Sequence, residues 1–440
     1  MILTCSTIKG SVNLSGIEFD CEGHNTCLNG YFQKLPAMDN LRVISSTKSV
    51  LLGLPPSCLQ FCPVDRSCFV VGTYNLQNQD PTEQQQDLPE ESTSERPQSR
   101  NGSLVLFNLA GSDLVKLQTE PQPSAILDLR FHPTRRAPQS VFAVVSSTGT
   151  LAIYRLKTSD GPALEHVATS RCADLGEDIL FLQCNWHPSV ENMIAVTTST
   201  GLARLLHLDN SWSIQGWTDL DIQNTLEAWS VCLSNPDNSR GEMGQPTTVY
   251  CGGDDSILRY TSWSLVPRDK DAKMETISAS IGIKGAHNAG VTAILPLSTW
   301  TSAGWRVVVT GSYDDMLRVF AINDPHESHG AKMVQLLTDI DLGGGVWRLD
   351  LIDLKSDVDS CGKGSVHILL LASCMHAGAR IVEIVTDDGD CWRSAVLAKF
   401  VEHQSMNYAS DCVYNPDERS LTCLSTSFYD RLLCLWTCNL

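Results

Sequence analysis

Residues 370–384 read LLASCMHAGARIVEI and align without a gap on VVTGSYDDMLRVFAI at 308–322. Where the second stretch has Asp314, the first has His376, two residues after Cys374. A turn carboxylate braces backbone amides, whereas an imidazole titrates near neutral pH and moves protons. Base-assisted chemistry draws on a nucleophile or an activated water, a base, and donors for the negative charge that develops. The C-terminal half supplies side chains of each type. His376 is the natural base, and Asp430 in SFYDRLLCLW or Asp314 is a group to orient it. Arg348 or the backbone amides of Gly343, Gly344 and Gly345 in LGGGVWRLDL are the candidate oxyanion donors. Cys374, Ser405 in HQSMNYASD, and an activated water remain open as the attacking group. No G-x-S-x-G elbow occurs, so the α/β-hydrolase apparatus is absent. The cysteines form no CxxC pair and the histidines no close H-x-x-x-H pair, so no metal is expected.

What positions these residues is a repeat. Seven segments share a turn followed by an alternating apolar strand: GSLVLF, STGTLAIY, STGLARLL, GGDDSILRYT, GSYDDMLRVF, CMHAGARIV and SFYDRLLCLW. Their last residues are Phe107, Tyr154, Leu206, Thr261, Phe320, Val382 and Trp436, at intervals of 47, 52, 55, 59, 62 and 54. Apolar runs such as VFAVVSS, MIAVTTS and RVVVTGS precede the turns, and entry strands such as LRFHP, CNWHP and CVYNP precede those. Short alternating strands at regular spacing predict an all-β chain. Residues 41–53, LRVISSTKSVLLG, lack a repeat of their own and are expected to supply the outer strand of the last one. Residues 1–40 read as an N-terminal extension. Residues 75–101 hold six acids, two arginines and almost no large apolar side chain, and read as a disordered acidic insertion in the first repeat.

Composition excludes several roles. With 50 acidic and 32 basic residues the net charge is −18, which repels a phosphate backbone, so no direct nucleic-acid ligand is expected. A cationic ligand or a basic protein face suits it better. No apolar run approaches the roughly 20 residues of a membrane span. The opening MILTCSTIKGSVNLSG does not read as a secretory signal. The 17 cysteines are odd in number and scattered through apolar strands, which fits buried thiols in a reducing, cytoplasmic setting.

GSYDDMLRVF and SFYDRLLCLW resemble the tryptophan–aspartate repeat family. That resemblance implies a seven-bladed β-propeller of WD40 type over residues 41–440. It also implies Asp–His pairs between a turn and the next strand entry, here Asp314 with His287 and Asp430 with His403, each 27 residues apart. In such a ring the turns between second and third strands open on the same face as the strand entries. That face would gather His376, Tyr429, Asp430, Tyr313, Asp314, Asp315, Asp254 and Asp255 with Glu227, Trp229, Trp347, Arg348, Ser405 and Tyr408.

A closer resemblance rests on FVVGTYNL, SAILDLRF, EAWSV, GGDDSILR, GGVWRLDL, ASCMHAGARI, SMNYASD and SFYDRLLCLW. These strings are similar to the propeller family of diphthine methyl ester hydrolases. The resemblance implies hydrolysis of the methyl ester of methylated diphthine, a modified histidine of translation elongation factor 2, late in diphthamide biosynthesis. A monomer with no cofactor is expected. The substrate carries a trimethylated amino group, which donates no hydrogen bond and is best held by aromatic faces and carboxylates. Trp229, Trp347, Tyr408, Tyr429 and Glu227 are the residues expected to bind it. The alternative is a non-catalytic propeller scaffold that binds proteins through the same face.

Overall fold

The alternating strands form seven antiparallel sheets in the computed structural model, which describes residues 41–76, 99–133, 140–158, 161–222, 224–234, 246–267, 272–358 and 364–440. Each sheet is a blade of a propeller. The innermost strands, in order, are Pro56–Phe61, Ile126–Phe131, Phe181–Trp186, Ala228–Leu233, Val291–Trp300, Arg348–Val358 and Ser410–Asn415. No helix occurs among the described residues. All seven strand-ending residues picked out by the repeat lie in the third strand of their blade.

The core lies between blades. Seven clusters of buried apolar side chains form, one at each blade interface. One joins Val307, Val309 and Leu317 of blade five to Ile368, Leu370 and Val382 of blade six. Another joins Leu424 and Leu433 of blade seven to Phe69 and Phe107 of blade one, which closes the ring. The described cysteines are all free and nearly all buried, as their apolar surroundings in the sequence indicate.

Closure occurs where the sequence places it, with one addition. Ser46–Leu51 pairs antiparallel with Leu432–Asn439 as the outer strand of blade seven. Arg42–Ile44 adds a parallel fifth strand to blade six, with Ile44 opposite Phe400. The ends of the expected insertion are also strand: Asn75 and Leu76 pair with Asn101 and Arg100. Residues 1–40, and the insertion between 76 and 99, lie outside the described residues.

An inner strand has one free edge facing the lumen, and its N–H groups need acceptors. Side chains of the preceding blade supply them. Gln60 Oε1 accepts from Phe131 N at 2.7 Å, and Gln183 Oε1 from Val231 N at 2.7 Å. Asp128 Oδ2 accepts from Cys184 N at 3.2 Å, and Asp411 Oδ2 from Phe61 N at 2.7 Å. Polar residues at lumen positions thus link blades as well as line the channel.

Candidate functional site

The channel mouth is built from strand entries. The pairing of Ala228–Leu233 with Thr247–Gly253 slips between Ala228 and Ser230, so Trp229 is the extra residue of a bulge. A bulge leaves one residue unpaired and re-aims its side chain. Gly253 makes this turn possible, because a Cβ there would lie 2.0 Å from Glu227 O. Asp254 N then donates to Glu227 O at 3.0 Å, and Trp229 Nε1 donates to Asp254 Oδ1 at 2.6 Å.

Trp229 meets Trp347 of blade six with ring centroids 5.3 Å apart. Blades four and six are not neighbours, so the two indoles meet at the mouth. Trp347 also lies 5.1 Å from Tyr408 and 6.0 Å from Tyr313. The cluster extends from Tyr408 to Phe428 at 5.3 Å, and from Phe428 to Tyr429 and Tyr74 at 5.1 and 6.1 Å. Trp229, Trp347 and Tyr313 are half-buried, while Tyr408 is buried. Carboxylates flank the aromatic faces. Burial lifts Asp254 above the usual carboxylate range, and the charges of Glu227 and Asp255 add to that against the Trp229 hydrogen bond. Burial also raises the Tyr313 phenol, reinforced by Asp254, Tyr408 and Glu227, so it stays protonated.

The expected substrate-binding residues therefore divide. Trp229, Trp347 and Tyr408 come together, with Glu227 beside Asp254. Tyr429 is 60% exposed and reaches the cluster only through Phe428. Gly344 and Gly345 serve close packing: a Cβ on Gly344 would lie 2.5 Å from Cys374 O, and one on Gly345 2.7 Å from Met375 Sδ.

The expected catalytic residues are more scattered. His376 is exposed and makes no ring contact with Trp347 or Tyr429. It faces Asp315, whose carboxyl burial raises and the imidazole opposes. The reason is local. In blade five Asp314 takes a bidentate ion pair from Arg318 and caps Met316 N. His376 is no such acceptor, so Arg380 turns to the carbonyls of Ala377 and Ala379. Cys374 is fully buried, and burial pushes its thiol up to about 12, an environment that disfavours the thiolate a nucleophile needs. Arg348, expected as an oxyanion donor, is engaged in an ion pair. Its Nη2 crosses the lumen to Asp128 Oδ1 at 2.8 Å.

Ser405 and Asp430 do meet, but not in the expected way. Ser405 Oγ donates to Asp430 Oδ1 at 2.7 Å, lies 2.9 Å from Ser427 Oγ, and accepts from Tyr429 N at 2.8 Å. Burial would raise Asp430, but hydrogen bonds from Ser427, Ser405 and the Gln404 amide hold it below the usual range. It is a fixed anion, a weak base at neutral pH, and far in role from His376. The two Asp–His pairs also differ from expectation. Asp314 and Asp430 accept from the backbone of Asn288 and Gln404, one residue past each histidine. His287 and His403 bond Thr310 and Ser425 through Nε2, and their Nδ1 atoms have no partner.

Below the mouth lies a charged layer that the motif reading did not assign. Arg130 approaches Asp128 at 3.4 Å and Asp350 at 3.8 Å. Burial and the charge of Asp350 push Asp411 up to about 7. The signal was the alternation of charge inside strand-like strings, LDLR and RLDL. Among the described residues no group of three or more histidine, cysteine or acidic side chains is placed to hold a metal ion.

No protein-family model matches the chain. Curated relatives do. It is 28% identical over 382 residues to the diphthine methyltransferase of Schizosaccharomyces pombe, covering 87% of this chain and 94% of that protein. It is 24% identical over 422 residues to a diphthine methyltransferase homolog of Dictyostelium discoideum, covering 90% and 99%. The diphthine methyltransferase of Homo sapiens is 23% identical over 376 residues, covering 81% of this chain and 72% of that protein. Along most of its length, then, this propeller is similar to the diphthine methyltransferases.

Proposed function

We propose that this chain hydrolyses the methyl ester of methylated diphthine on translation elongation factor 2, a late step of diphthamide biosynthesis. One observation carries the reading: Trp229, Trp347, Tyr313 and Tyr408 converge at the channel mouth with Asp254 and Glu227 beside them. Aromatic faces attract a cation through their quadrupole, and the effect grows when water is excluded. A trimethylammonium, unable to donate hydrogen bonds, gains most from such a site. The ester of that substrate sits on the carbon that bears the cation. Holding the cation therefore fixes the carbonyl within a few ångströms of the same carboxylates, which supplies orientation.

The relatives' names speak of methyl transfer, which adds a methyl group, while ester hydrolysis removes one. A scaffold does neither. Purified protein incubated with elongation factor 2 carrying the methyl ester distinguishes them by mass analysis of the modified histidine. Loss of one methylene unit with release of methanol is expected. Gain of a methyl group supplied by an added donor, or no change, overturns the reading.

A further inference from the structure

Resting on the ester-hydrolase reading, we propose that Asp254 is the general base that activates water and that the Tyr313 hydroxyl stabilises the oxyanion. This assigns the proton transfer to the mouth of blades four and five and away from His376.

The geometry of Asp254 suits the task. Its Oδ1 is fixed by Trp229 Nε1 at 2.6 Å, while Oδ2 accepts no hydrogen bond among the described residues. The carboxylate therefore has a set direction and one free oxygen. The ring that fixes it is the ring that touches Trp347, so the base is tied to the cation-binding faces. Gly290 lets base and phenol approach: a Cβ there would lie 2.9 Å from both Asp254 Oδ1 and Tyr313 Cδ2. The Tyr313 ring lies 6.0 Å from Trp347 and beside Asp254 across Gly290, which puts the phenol at the same mouth as the base.

The electrostatics agree. An efficient base has a pKa near the working pH. Burial raises Asp254, and the nearby charges of Glu227 and Asp255 add to it, although Asp255 is itself paired with Arg259 at 2.8 Å. A phenol kept protonated is a donor, as an oxyanion requires. Asp430, by contrast, is held low by its serines.

The step balances. Asp254 Oδ2 takes a proton from water as the oxygen bonds to the ester carbonyl carbon. The carbonyl electrons move to oxygen, which accepts a hydrogen bond from Tyr313. The intermediate collapses, the bond to the methoxy oxygen breaks, and Asp254 returns the proton to the leaving methoxide. The products are methanol and a carboxylic acid, which ionises to solvent.

The test is a pH–rate profile on the whole chain with methyl-esterified elongation factor 2. Asp254→Asn keeps an acceptor for Trp229, so folding is retained and is checked by Tm. Its kcat is expected to fall about 10²–10⁴-fold, with KM changed far less. Glu227→Gln removes a charge that raises Asp254, so the acid limb of the kcat profile is expected to move to lower pH. Tyr313→Phe is expected to lower kcat by about 10²–10³. If the unmodified chain shows turnover and folded Asp254→Asn keeps its kcat, or if the loss is entirely in KM, the assignment falls while the hydrolase reading stands. If the unmodified chain shows no turnover, both fall.

Discussion

Trp347→Leu removes the ring that links the faces at the mouth, since among the described residues Trp347 alone contacts Trp229, Tyr408 and Tyr313. A cation over a desolvated indole face gains about 2 kcal/mol. At about 1.4 kcal/mol per tenfold, that is about thirtyfold in affinity. The charge contribution separates from shape in a pair of small esters. Betaine methyl ester carries a quaternary nitrogen, and methyl 3,3-dimethylbutanoate puts carbon in its place with the same outline. Each is titrated as an inhibitor of turnover on the elongation factor. The unmodified chain is expected to prefer the charged ester at least tenfold, and Trp347→Leu to lose most of that preference. Trp347 is half-buried, so the variant is expected to cost about 1–2 kcal/mol of stability, read by Tm. Equal inhibition by both esters, or a preference untouched by Trp347→Leu, would refute the cation-binding argument.

Three further outcomes are expected. Asp411 keeps its proton in the folded chain up to about pH 7, whereas the unfolded chain loses it near the ordinary carboxylate value. Its contribution is thus full below about pH 4 and lost as pH rises through about 7, so Asp411→Asn should gain about 2–4 kcal/mol over the unmodified chain across that window in denaturant titrations, and a constant difference would contradict this. Association with the elongation factor is expected to weaken as salt rises, because the chain carries −18 charges, and salt-independent association would count against electrostatic recruitment. Replacing the chain between Leu76 and Arg100 by a short turn should leave Tm nearly unchanged, since Asn75 and Leu76 already pair with Asn101 and Arg100, and a large drop would show a structural role.

The repeat made the ring legible because strand alternation and turn chemistry are local. Phe107, Tyr154, Leu206, Thr261, Phe320, Val382 and Trp436 all fall in third strands, and Ser46–Leu51 closes blade seven as its orphaned pattern indicated. The mouth was legible in part. Trp229, Trp347 and Tyr408 stand at strand entries, whose direction the fold dictates. The interior of the channel was harder to read. Arg348 also stands at a strand entry, yet its long side chain reaches across the lumen to Asp128, a contact set by the ring's diameter. Cys374 and His376 share one turn but divide between core and solvent, because the second-to-third-strand turn sits in mid-blade. The partners of Asp430 were not legible, because the backbone N–H after His403 and two serines share its oxygens.

The central claim is that water cleaves the ester at its acyl carbon at the mouth of this propeller. The most direct measurement runs the reaction on methyl-esterified elongation factor 2 in heavy-oxygen water and analyses both products by mass. Attack by water at the carbonyl places one heavy oxygen in the new carboxylate and releases unlabelled methanol. A carboxylate free of label, with the methyl group found on an acceptor or in labelled methanol, would mean that the methyl carbon is attacked instead, and would contradict the account.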